Sequence, residues 1–412
     1  RHYSMRSELH LILLTFLLLL LGYKIFMPTD QIKNKQLKIG FVGGGPNSGI
    51  GRTHLVASRM DNKFILCAGV FSKNFNKSIN YGISLNLKKD RCYSNYNEMA
   101  KKESERLNGI DVVAIMTPPS SHQKIAEAFI KRNIHVISDK PFAANLKQAK
   151  SLLKSINKNK KIVYALTHNY SAYPMVREAK KIVENEKLGK VEMINVEYVQ
   201  DWGNGTLINH KNSKKILYWR AEKNIQGISS VLNEIGTHAY HLALYITGLK
   251  GKKIFADIKQ VSTKVNCDDN AQVFINYENG AKGILWASTT AKGGIYGLRI
   301  RIFGTKGSIE WVQKDPNYLK FNPAKGAVKI LEKDFNEAKY SSRFSRISYG
   351  HPEGFFDAFA NIYSETATAI LDKKNRKKNN KYLFPTAEEG YLTAKFVDTC
   401  KRSSSKKQWV RL

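Results

Sequence analysis

Two short stretches of the sequence contain side chains that could move a proton. In the first, Asp139-Lys140-Pro141 follows a strand-like run, and Pro141 keeps Lys140 out of helical geometry. In the second, His238 precedes an apolar run with helical spacing. Histidine is a plausible proton carrier because its unperturbed pKa lies near neutrality. A lone histidine before an apolar helix is more often structural, but together with Lys140 it indicates catalysis.

A glycine-rich loop lies where a nucleotide could bind. Residues 37–42 form a short, β-branched run, and residues 50–60 have helical spacing. Glycines at such a junction let the backbone approach a pyrophosphate, whose charge the helix N–H groups can hold. The third glycine position of the G-x-G-x-x-G pattern is a serine, so the loop is lengthened, and a simple tight turn is the alternative. The predicted nucleotide contacts are Gly43, Gly45, Ser48, Gly49, Ile50 and Gly51.

The order of strands and helices predicts an α/β fold. Strand-like runs at residues 64–71, 111–117 and 135–138 alternate with helical segments. This alternation predicts an N-terminal Rossmann domain, a doubly wound parallel sheet that binds NAD(P), over residues 37–167. From residue 168 the pattern becomes a succession of strands, several of them alternating apolar and polar residues. We therefore expect residues 168–412 to form an α+β domain with a large, mainly antiparallel open sheet, which binds substrate on one face and an oligomer partner on the other.

The residues that follow the predicted strand at residues 64–71 indicate which dinucleotide is bound. An NAD-specific site usually has Asp or Glu at this point, where the adenosine ribose lies. This chain instead has Ser72 and Lys73, a hydroxyl and a cation that could hold a 2′-phosphate. We therefore expect NADP or NAD, with NADP favoured. The alternative is that both are ordinary loop residues.

Composition argues against nucleic-acid-binding and zinc-binding classes of protein. The net charge is +33, which a basic patch for nucleic acid or anionic lipid would explain. However, lysine far exceeds arginine and is spread along the chain, whereas base and phosphate recognition favours clustered arginine and aromatic residues. The four cysteines are scattered without a C-x-x-C pair, which indicates a reducing compartment and no metal site.

An apolar run precedes the predicted domains. Residues 9–21 are nearly all Leu or Ile and lie between Arg6 and Lys24, which fits a short membrane anchor or a signal peptide. No small-residue cleavage site follows this run, and a spurious extension before Met27 is the third alternative. We treat residues 1–36 as an N-terminal extension. We expect a cytoplasmic protein that meets a membrane only if this segment is real.

Three motifs together resemble one family of oxidoreductases. They are the glycine loop, the turn that contains Thr117, Pro118 and His122, and Asp139-Lys140-Pro141. The sequence resembles the Gfo/Idh/MocA family, that of glucose-fructose oxidoreductase and inositol dehydrogenase, from about residue 38 to residue 412. The resemblance implies hydride transfer between a nicotinamide and a hydroxyl-bearing carbon of a sugar, anhydrosugar or cyclitol. The alternative is a catalytically silent NAD(P)-binding sensor or scaffold protein.

The resemblance also implies roles for individual residues. Lys140 matches the family's active-site lysine, and Glu234-Ile-Gly-Thr-His238 resembles its Asp-x-Gly-x-His motif, whose histidine is the acid/base candidate. The chain departs at Glu234, where the family usually has Asp, and one extra methylene moves the carboxylate. A later segment at residues 350–354 resembles one that returns the chain to the first domain.

The sequence also predicts contacts with both ligands and an oligomeric state. Three clusters are predicted to line a pocket, with packing or turn clusters as the alternative. Residues 198–202 end a strand with polar and aromatic groups suited to a sugar face, and the other two clusters are residues 218–220 and 350–354. The predicted catalytic residues are Lys140, His238 and Glu234. The cofactor residues predicted outside the glycine loop are Ser72, Lys73, Thr117, Pro118, His122, Asp139 and Lys140. The predicted substrate contacts are Tyr170, Asp201, Trp202, Trp219, Arg220 and His238. We expect a homo-oligomer that assembles through the C-terminal sheet.

Overall fold

The computed structural model describes residues 36–204, 227–263, 266–294, 297–377 and 381–412. The apolar run at residues 9–21 lies outside these ranges. None of the helices within them combines the length and the apolar character that crossing a membrane requires.

The first sheet is parallel and has helices on both faces. Its strands are β1 (Leu37–Gly43), β2 (Phe64–Val70), β3 (Val112–Met116), β4 (His135–Ser138) and β5 (Tyr164–Leu166), in the order β2-β1-β3-β4-β5. The helices between them are α1 (Gly49–Met60), α2 (Phe75–Ser84), α3 (Tyr96–Glu105), α4 (Pro119–Ile130) and α5 (Leu146–Lys158). The central strand β3 is buried along its whole length, as a strand covered on both faces should be. The strand order reverses between β1 and β3, the point at which sheets of this kind bind ligands.

The second sheet has nine strands and follows helix α6 (Pro174–Glu184). Its strands are β6 (Val191–Val199), β7 (Gly251–Lys259), β8 (Asn270–Tyr277), β9 (Lys282–Ser288), β10 (Gly297–Gly304), β11 (Gly307–Val312), β12 (Tyr318–Pro323), β13 (Lys329–Glu332) and β14 (Val410–Arg411). Their order is β13-β12-β11-β10-β6-β9-β8-β7-β14, and only the pair β6 and β9 is parallel. The described residues also form helices α7 (Thr237–Thr247), α8 (Phe355–Lys374) and α9 (Ala387–Lys406). The predicted fold class is confirmed, while the division after residue 167 stays a prediction.

The two last long helices lie against the parallel sheet and its helices. Helix α8 packs on α1, where the ring of His54 meets the rings of Phe359 and Tyr363 at 5.4 and 5.9 Å. In α9, Gly390 lies against Phe142, whose ring would be 2.8 Å from a Cβ at that position. Residues late in the sequence are therefore brought next to the glycine loop and to the loop after β4.

The glycine loop departs from the common pattern without losing its tight geometry. Gly43 and Gly44 have φ values of +92° and +71°, a region that residues with a side chain rarely adopt. Ser48 caps α1, since its hydroxyl accepts a hydrogen bond of 3.0 Å from the N–H of Gly51. A Cβ on Gly51 would lie 2.4 Å from the Cα of Gly44. The close contact between loop and helix therefore occurs at Gly51, and Ser48 is a helix cap.

This contact predicts that two neighbouring glycines respond differently to alanine. Gly51→Ala should lower the free energy of unfolding by about 1–3 kcal/mol, because the new methyl group overlaps the backbone of Gly44. Gly49→Ala is the matched control, since a Cβ there would have no atom of the described part of the chain within 4 Å. Urea denaturation of both variants measures the difference. Equal midpoints for the two variants would contradict the assignment.

Candidate active site

Two cavities lie at the carboxyl ends of the parallel strands. The larger has a volume of about 1030 Å3 and runs from the glycine loop past the ends of β2 and β3 to the loop after β4. The smaller, of about 270 Å3, lies between the first sheet, the second sheet and α8. Four residues line both cavities, namely Ile50, Asp139, Lys140 and Glu234. Molecules bound in the two cavities would therefore meet at these side chains.

Most of the predicted cofactor residues line the larger cavity. They are Gly45, Ser48, Gly49, Ile50, Ser72, Thr117, Pro118, Asp139 and Lys140. Gly43 and Gly51 serve the turn and the packing of the loop instead, as described above. Lys73 is exposed and does not line the cavity.

Helix α2 supplies cavity residues that the sequence analysis missed. Lys77, Asn80 and Tyr81 line the larger cavity, next to Ser72 and Phe71. Because they are spaced three and four residues apart, they share one face of the helix. The helical spacing was visible in the sequence, but the face that meets the cavity was not.

The structure places His122 behind the cavity. Its Nδ1 lies 2.8 Å from the carbonyl oxygen of Pro141, and its Nε2 lies 2.6 Å from that of Thr117. Burial lowers the pKa of this ring, and only 1% of the residue is exposed. A neutral ring carries one proton, so His122 donates to one of these two carbonyl oxygens and packs against the other, between the loop after β3 and the loop after β4.

Lys140 and Glu234 form the contact that joins the two parts of the site. Lys140 Nζ donates to the main-chain oxygen of Glu234 at 2.7 Å and lies 3.4 Å from its Oε2. Glu234 belongs to a π-helical turn, Leu232–Gly236, that leads into α7. Such turns are frequent at functional sites, and here the turn presents its main-chain oxygen to the lysine. An ammonium has three donors, and the contacts of Lys140 with the described residues use two of them, so one stays available to a ligand.

Asp139 provides a negative charge beside this lysine. Its Oδ1 accepts a hydrogen bond of 2.7 Å from the hydroxyl of Thr167 and lies 3.8 Å from His54 Nε2. Burial raises the pKa of Asp139, but His54, Lys140 and Thr167 outweigh that effect and bring the pKa to about 2. Asp139 is thus a carboxylate at neutral pH.

His238 lies in the wall of the smaller cavity with its ring held on two sides. Its Nδ1 is 3.4 Å from Nδ1 of His168, and the ring of Tyr170 meets it edge-on at 4.9 Å. Burial, and then the charge of Lys140, lower the pKa of His238 well below its ordinary value. His238 is therefore neutral near pH 7 and can accept a proton.

The smaller cavity combines an aromatic wall with buried amide groups. Its aromatic residues are Tyr170, Tyr198, Trp202, Phe355 and Phe359. Asn169 Nδ2 and Gln313 Oε1 are buried there and have no hydrogen-bond partner among the described residues. Such groups can bind the hydroxyls and the apolar face of a small polar ring.

Some residues of the smaller cavity were predicted as substrate contacts, and others were missed. Tyr170, Trp202 and His238 line the smaller cavity, whereas Asp201 does not. Trp219 and Arg220 lie outside the described residues. The sequence carried no signal for Phe355, Phe359 or Gln313, which come from distant elements. Within the described ranges, no group of three or more His, Cys, Asp or Glu side chains could hold a metal ion.

The fold and the paired cavities define the class of the protein. A Rossmann sheet with a glycine loop, joined to a second cavity that contains a lysine and a histidine, is the arrangement of a dinucleotide-dependent oxidoreductase. Comparison with known families agrees. Residues 37–167 match the model of an oxidoreductase family with an NAD-binding Rossmann fold, and residues 176–310 match the GFO/IDH/MocA C-terminal domain. The chain belongs to the Gfo/Idh/MocA family of oxidoreductases, so the predicted family and enzyme class are confirmed.

Similar proteins cover between 73 and 92% of the chain. It is 31% identical to the uncharacterized oxidoreductase YfiI of Bacillus subtilis (strain 168), over 92% of this chain and 98% of that protein. It is 26% identical to a levoglucosan dehydrogenase of Pseudarthrobacter phenanthrenivorans, over 73% of this chain and 80% of the relative. Among solved structures, an inositol dehydrogenase homolog from Azotobacter vinelandii, in complex with NADH and myo-inositol, is 27% identical with a TM-score of 0.84. That match covers 92% of this chain and 98% of the other.

Proposed function

We propose that the protein is an NAD(P)-dependent dehydrogenase that acts on a hydroxyl-bearing carbon of a sugar, anhydrosugar or cyclitol. The main support is that Ile50, Asp139, Lys140 and Glu234 line both cavities. A nicotinamide ring at the inner end of the larger cavity would there meet a substrate carbon in the smaller one. The relatives named for levoglucosan and inositol support this class of substrate.

The larger cavity fits the phosphates of a dinucleotide. The first turn of α1 has no acidic residue, and the turn contributes Gly49 and Ile50 to the cavity wall. Among the described residues, no atom lies within 4 Å of the position of a Cβ at Gly49, so the backbone there is open to a ligand. The N–H groups and the positive end of the helix dipole would hold the pyrophosphate between them.

Lys140 and His238 would divide the work on the substrate hydroxyl. The remaining donor of Lys140 would bind the substrate oxygen and stabilise the negative charge that develops on it. Neutral His238 would take the hydroxyl proton as the alcohol is oxidised, and would return it in the reverse reaction. The nicotinamide, when bound, supplies the acceptor or donor of the hydride. Glu234, in contact with Nζ, would orient the lysine.

The smaller cavity suits a single small ring with several hydroxyls. The aromatic side chains would pack on the C–H face of the ring, while Asn169 and Gln313 would bind hydroxyls at its edge. A volume of about 270 Å3 leaves little room for a longer chain. Phe355, which is 38% exposed, would separate the substrate from solvent.

We also propose that NADP is favoured over NAD, with Lys77 rather than Lys73 as the lysine that meets the 2′-phosphate. Ser72 and Lys77 line the larger cavity at the end of β2, and the only carboxylates among the described residues that line it are Asp139 and Glu234. Both of these lie at the opposite end, beside Lys140. A 2′-phosphate next to Lys77 would therefore gain a cation and meet no carboxylate.

A last proposal is that the outer face of the second sheet binds another copy of the chain. Met193, Phe274 and Ile284 are about half exposed, at 50, 48 and 47%, on the strands β6, β8 and β9. Phe274 and Ile284 are directly paired across β8 and β9. Phe274 and Ile284 lie in a groove on this face, and Arg299, Arg301 and Glu197 line the same groove. The face therefore has an apolar centre and a polar edge, as interfaces have.

The proposed chemistry predicts the kinetics of two variants on a substrate found by screening polyols, aldoses and anhydrosugars. His238→Ala and Lys140→Ala should each lower kcat by about 10²- to 10⁴-fold, the usual contribution of an acid–base group. His238→Ala should leave cofactor binding nearly unchanged, because His238 lines only the smaller cavity. Steady-state kinetics and NADH or NADPH fluorescence measure both effects. The exposed His351, changed to Asn, is the control. Folded His238→Ala with kcat within about threefold of wild type would refute the role of this residue.

The cofactor proposal predicts a difference between two nearby lysines. Lys77→Ala should weaken NADPH binding by about tenfold, because it removes about one charge-assisted hydrogen bond to the 2′-phosphate. NADH has no 2′-phosphate, so its binding should stay unchanged. Lys73→Ala is the control, because Lys73 does not line the cavity. Fluorescence titration with each nucleotide reports the four affinities. A clear preference of the wild type for NADH would overturn the proposal.

The oligomer proposal predicts a change of mass in solution. Wild type should show a multiple of the chain mass by light scattering after size exclusion. The double change Phe274→Lys and Ile284→Lys should reduce that mass, because four buried charges per pair of chains would face one another. Ile65→Lys is the control, since Ile65 is 48% exposed on β2, in the other sheet. A wild type with the mass of one chain would contradict the proposal.

A further inference from the structure

One buried histidine has no part in the proposed chemistry, although it contacts the acid–base residue. His168 follows β5 and is completely buried. Its Nδ1 lies 3.4 Å from Nδ1 of His238. A hydrogen bond between these two nitrogens needs one proton, which either ring can provide.

One face of the His168 ring is packed against a second histidine. It stacks on His241 at 4.3 Å, with the planes only 10° apart. His241 Nε2 in turn lies 3.7 Å from Oε1 of Glu389. Glu389 is fixed by the start of α9, where its Oε2 accepts a hydrogen bond of 2.7 Å from the N–H of Thr386. His168 therefore presents its Nδ1 to His238 from a rigid position.

The direction of the hydrogen bond decides what His238 can do. If His238 donates from Nδ1, its Nε2 has no proton and can accept one from a substrate hydroxyl. If His168 donates, His238 as a neutral ring holds its proton on Nε2 and cannot act as the base. The partner of His238 thus selects the tautomer.

The surrounding charges favour donation by His238. Lys140 lines the same cavity as His238, and its ammonium disfavours a proton on Nε2, the ring nitrogen of His238 that does not contact His168. Asp139 and Glu234 line this cavity too, but Glu234 lies against Lys140, and Asp139, whose charge raises the pKa of His238, has a smaller effect on that ring than Lys140. Burial, together with His241, His238 and Lys140, lowers the pKa of His168 well below its ordinary value. A neutral His168 can accept at Nδ1, and its proton is then on Nε2, which is buried without a hydrogen-bond partner among the described residues.

We propose that His168 is a positioning residue that accepts a hydrogen bond from Nδ1 of His238 and so keeps Nε2 of His238 free to take the substrate proton. In the oxidation, Nε2 would take the hydroxyl proton, a bound nicotinamide would accept the hydrogen of the carbon with its electron pair, and the C–O bond would become a carbonyl. The transfer of a substrate proton to Nε2 of His238 rests on the proposed function. The tautomer itself is a property of the protein and can be measured without a substrate.

The direct test is a long-range ¹H–¹⁵N spectrum of the full-length wild type labelled with ¹⁵N-histidine, near neutral pH. His238 should hold its proton on Nδ1 and His168 on Nε2. Signals are assigned with His168→Phe and His238→Asn, and the exposed His351→Asn serves as the control for the assignment. A proton on Nε2 of His238, or no proton on either Nδ1, would overturn the proposal.

Two substitutions at His168 test the consequence for catalysis. His168→Phe keeps a flat ring against His241 but removes the acceptor, so kcat should fall at least about tenfold while KM for the cofactor stays within about threefold. His168→Asn can place an amide oxygen near the position of Nδ1 and should restore kcat to within about threefold of wild type. Wild-type kcat in folded His168→Phe, with unchanged His238 signals, would refute the positioning role.

These outcomes separate this proposal from the proposed function. If no polyol, aldose or anhydrosugar is turned over, the proposed function fails, while the wild-type spectrum still decides the tautomer. If His168→Phe does not fold, the same spectrum decides the proposal alone.

Discussion

The site depends on the contact of Lys140 with the π-helical turn that contains Glu234. Burying an ammonium group is unfavourable unless it is paired and hydrogen-bonded. Here the main-chain oxygen of Glu234 at 2.7 Å and its carboxylate at 3.4 Å meet both needs. Because Lys140 follows a strand of the parallel sheet and Glu234 precedes α7, this contact joins the two cavities. A glutamate in place of the family's usual aspartate still reaches the lysine.

The loop that carries Lys140 is fixed from its neighbours on both sides. His122 reaches it from α4 through the carbonyl oxygen of Pro141, and Thr167 reaches it from the end of β5 through Asp139. Each of these contacts satisfies a buried polar group and limits the movement of the loop. A rigid position is what a catalytic group needs if its donor is to point at one atom of a ligand. The residues around the site therefore act through Lys140 and do not all touch a ligand.

Elements from the end of the chain complete the site. Helix α8 supplies Phe355 and Phe359 to the wall of the smaller cavity, and α9 supplies Glu389 beneath the stacked rings of His241 and His168. The smaller cavity thus combines residues from the first sheet, the second sheet and the last helices. Its shape can change through substitutions in α8 without any change to the glycine loop. This separation agrees with a family whose relatives are named for different sugars and cyclitols.

The sequence alone determined the fold class, the glycine loop, Lys140 and His238, because each of these depends on local periodicity or on residues adjacent in the chain. It could also show that no carboxylate follows β2. Only the tertiary structure decided that Lys77 and not Lys73 lines the larger cavity, that His122 lies behind it, and that Gly51 makes the close contact with the loop. It also revealed His168 as the neighbour of His238. Such contacts depend on which faces of distant elements pack together, and that is set by long-range burial, which local spacing does not encode.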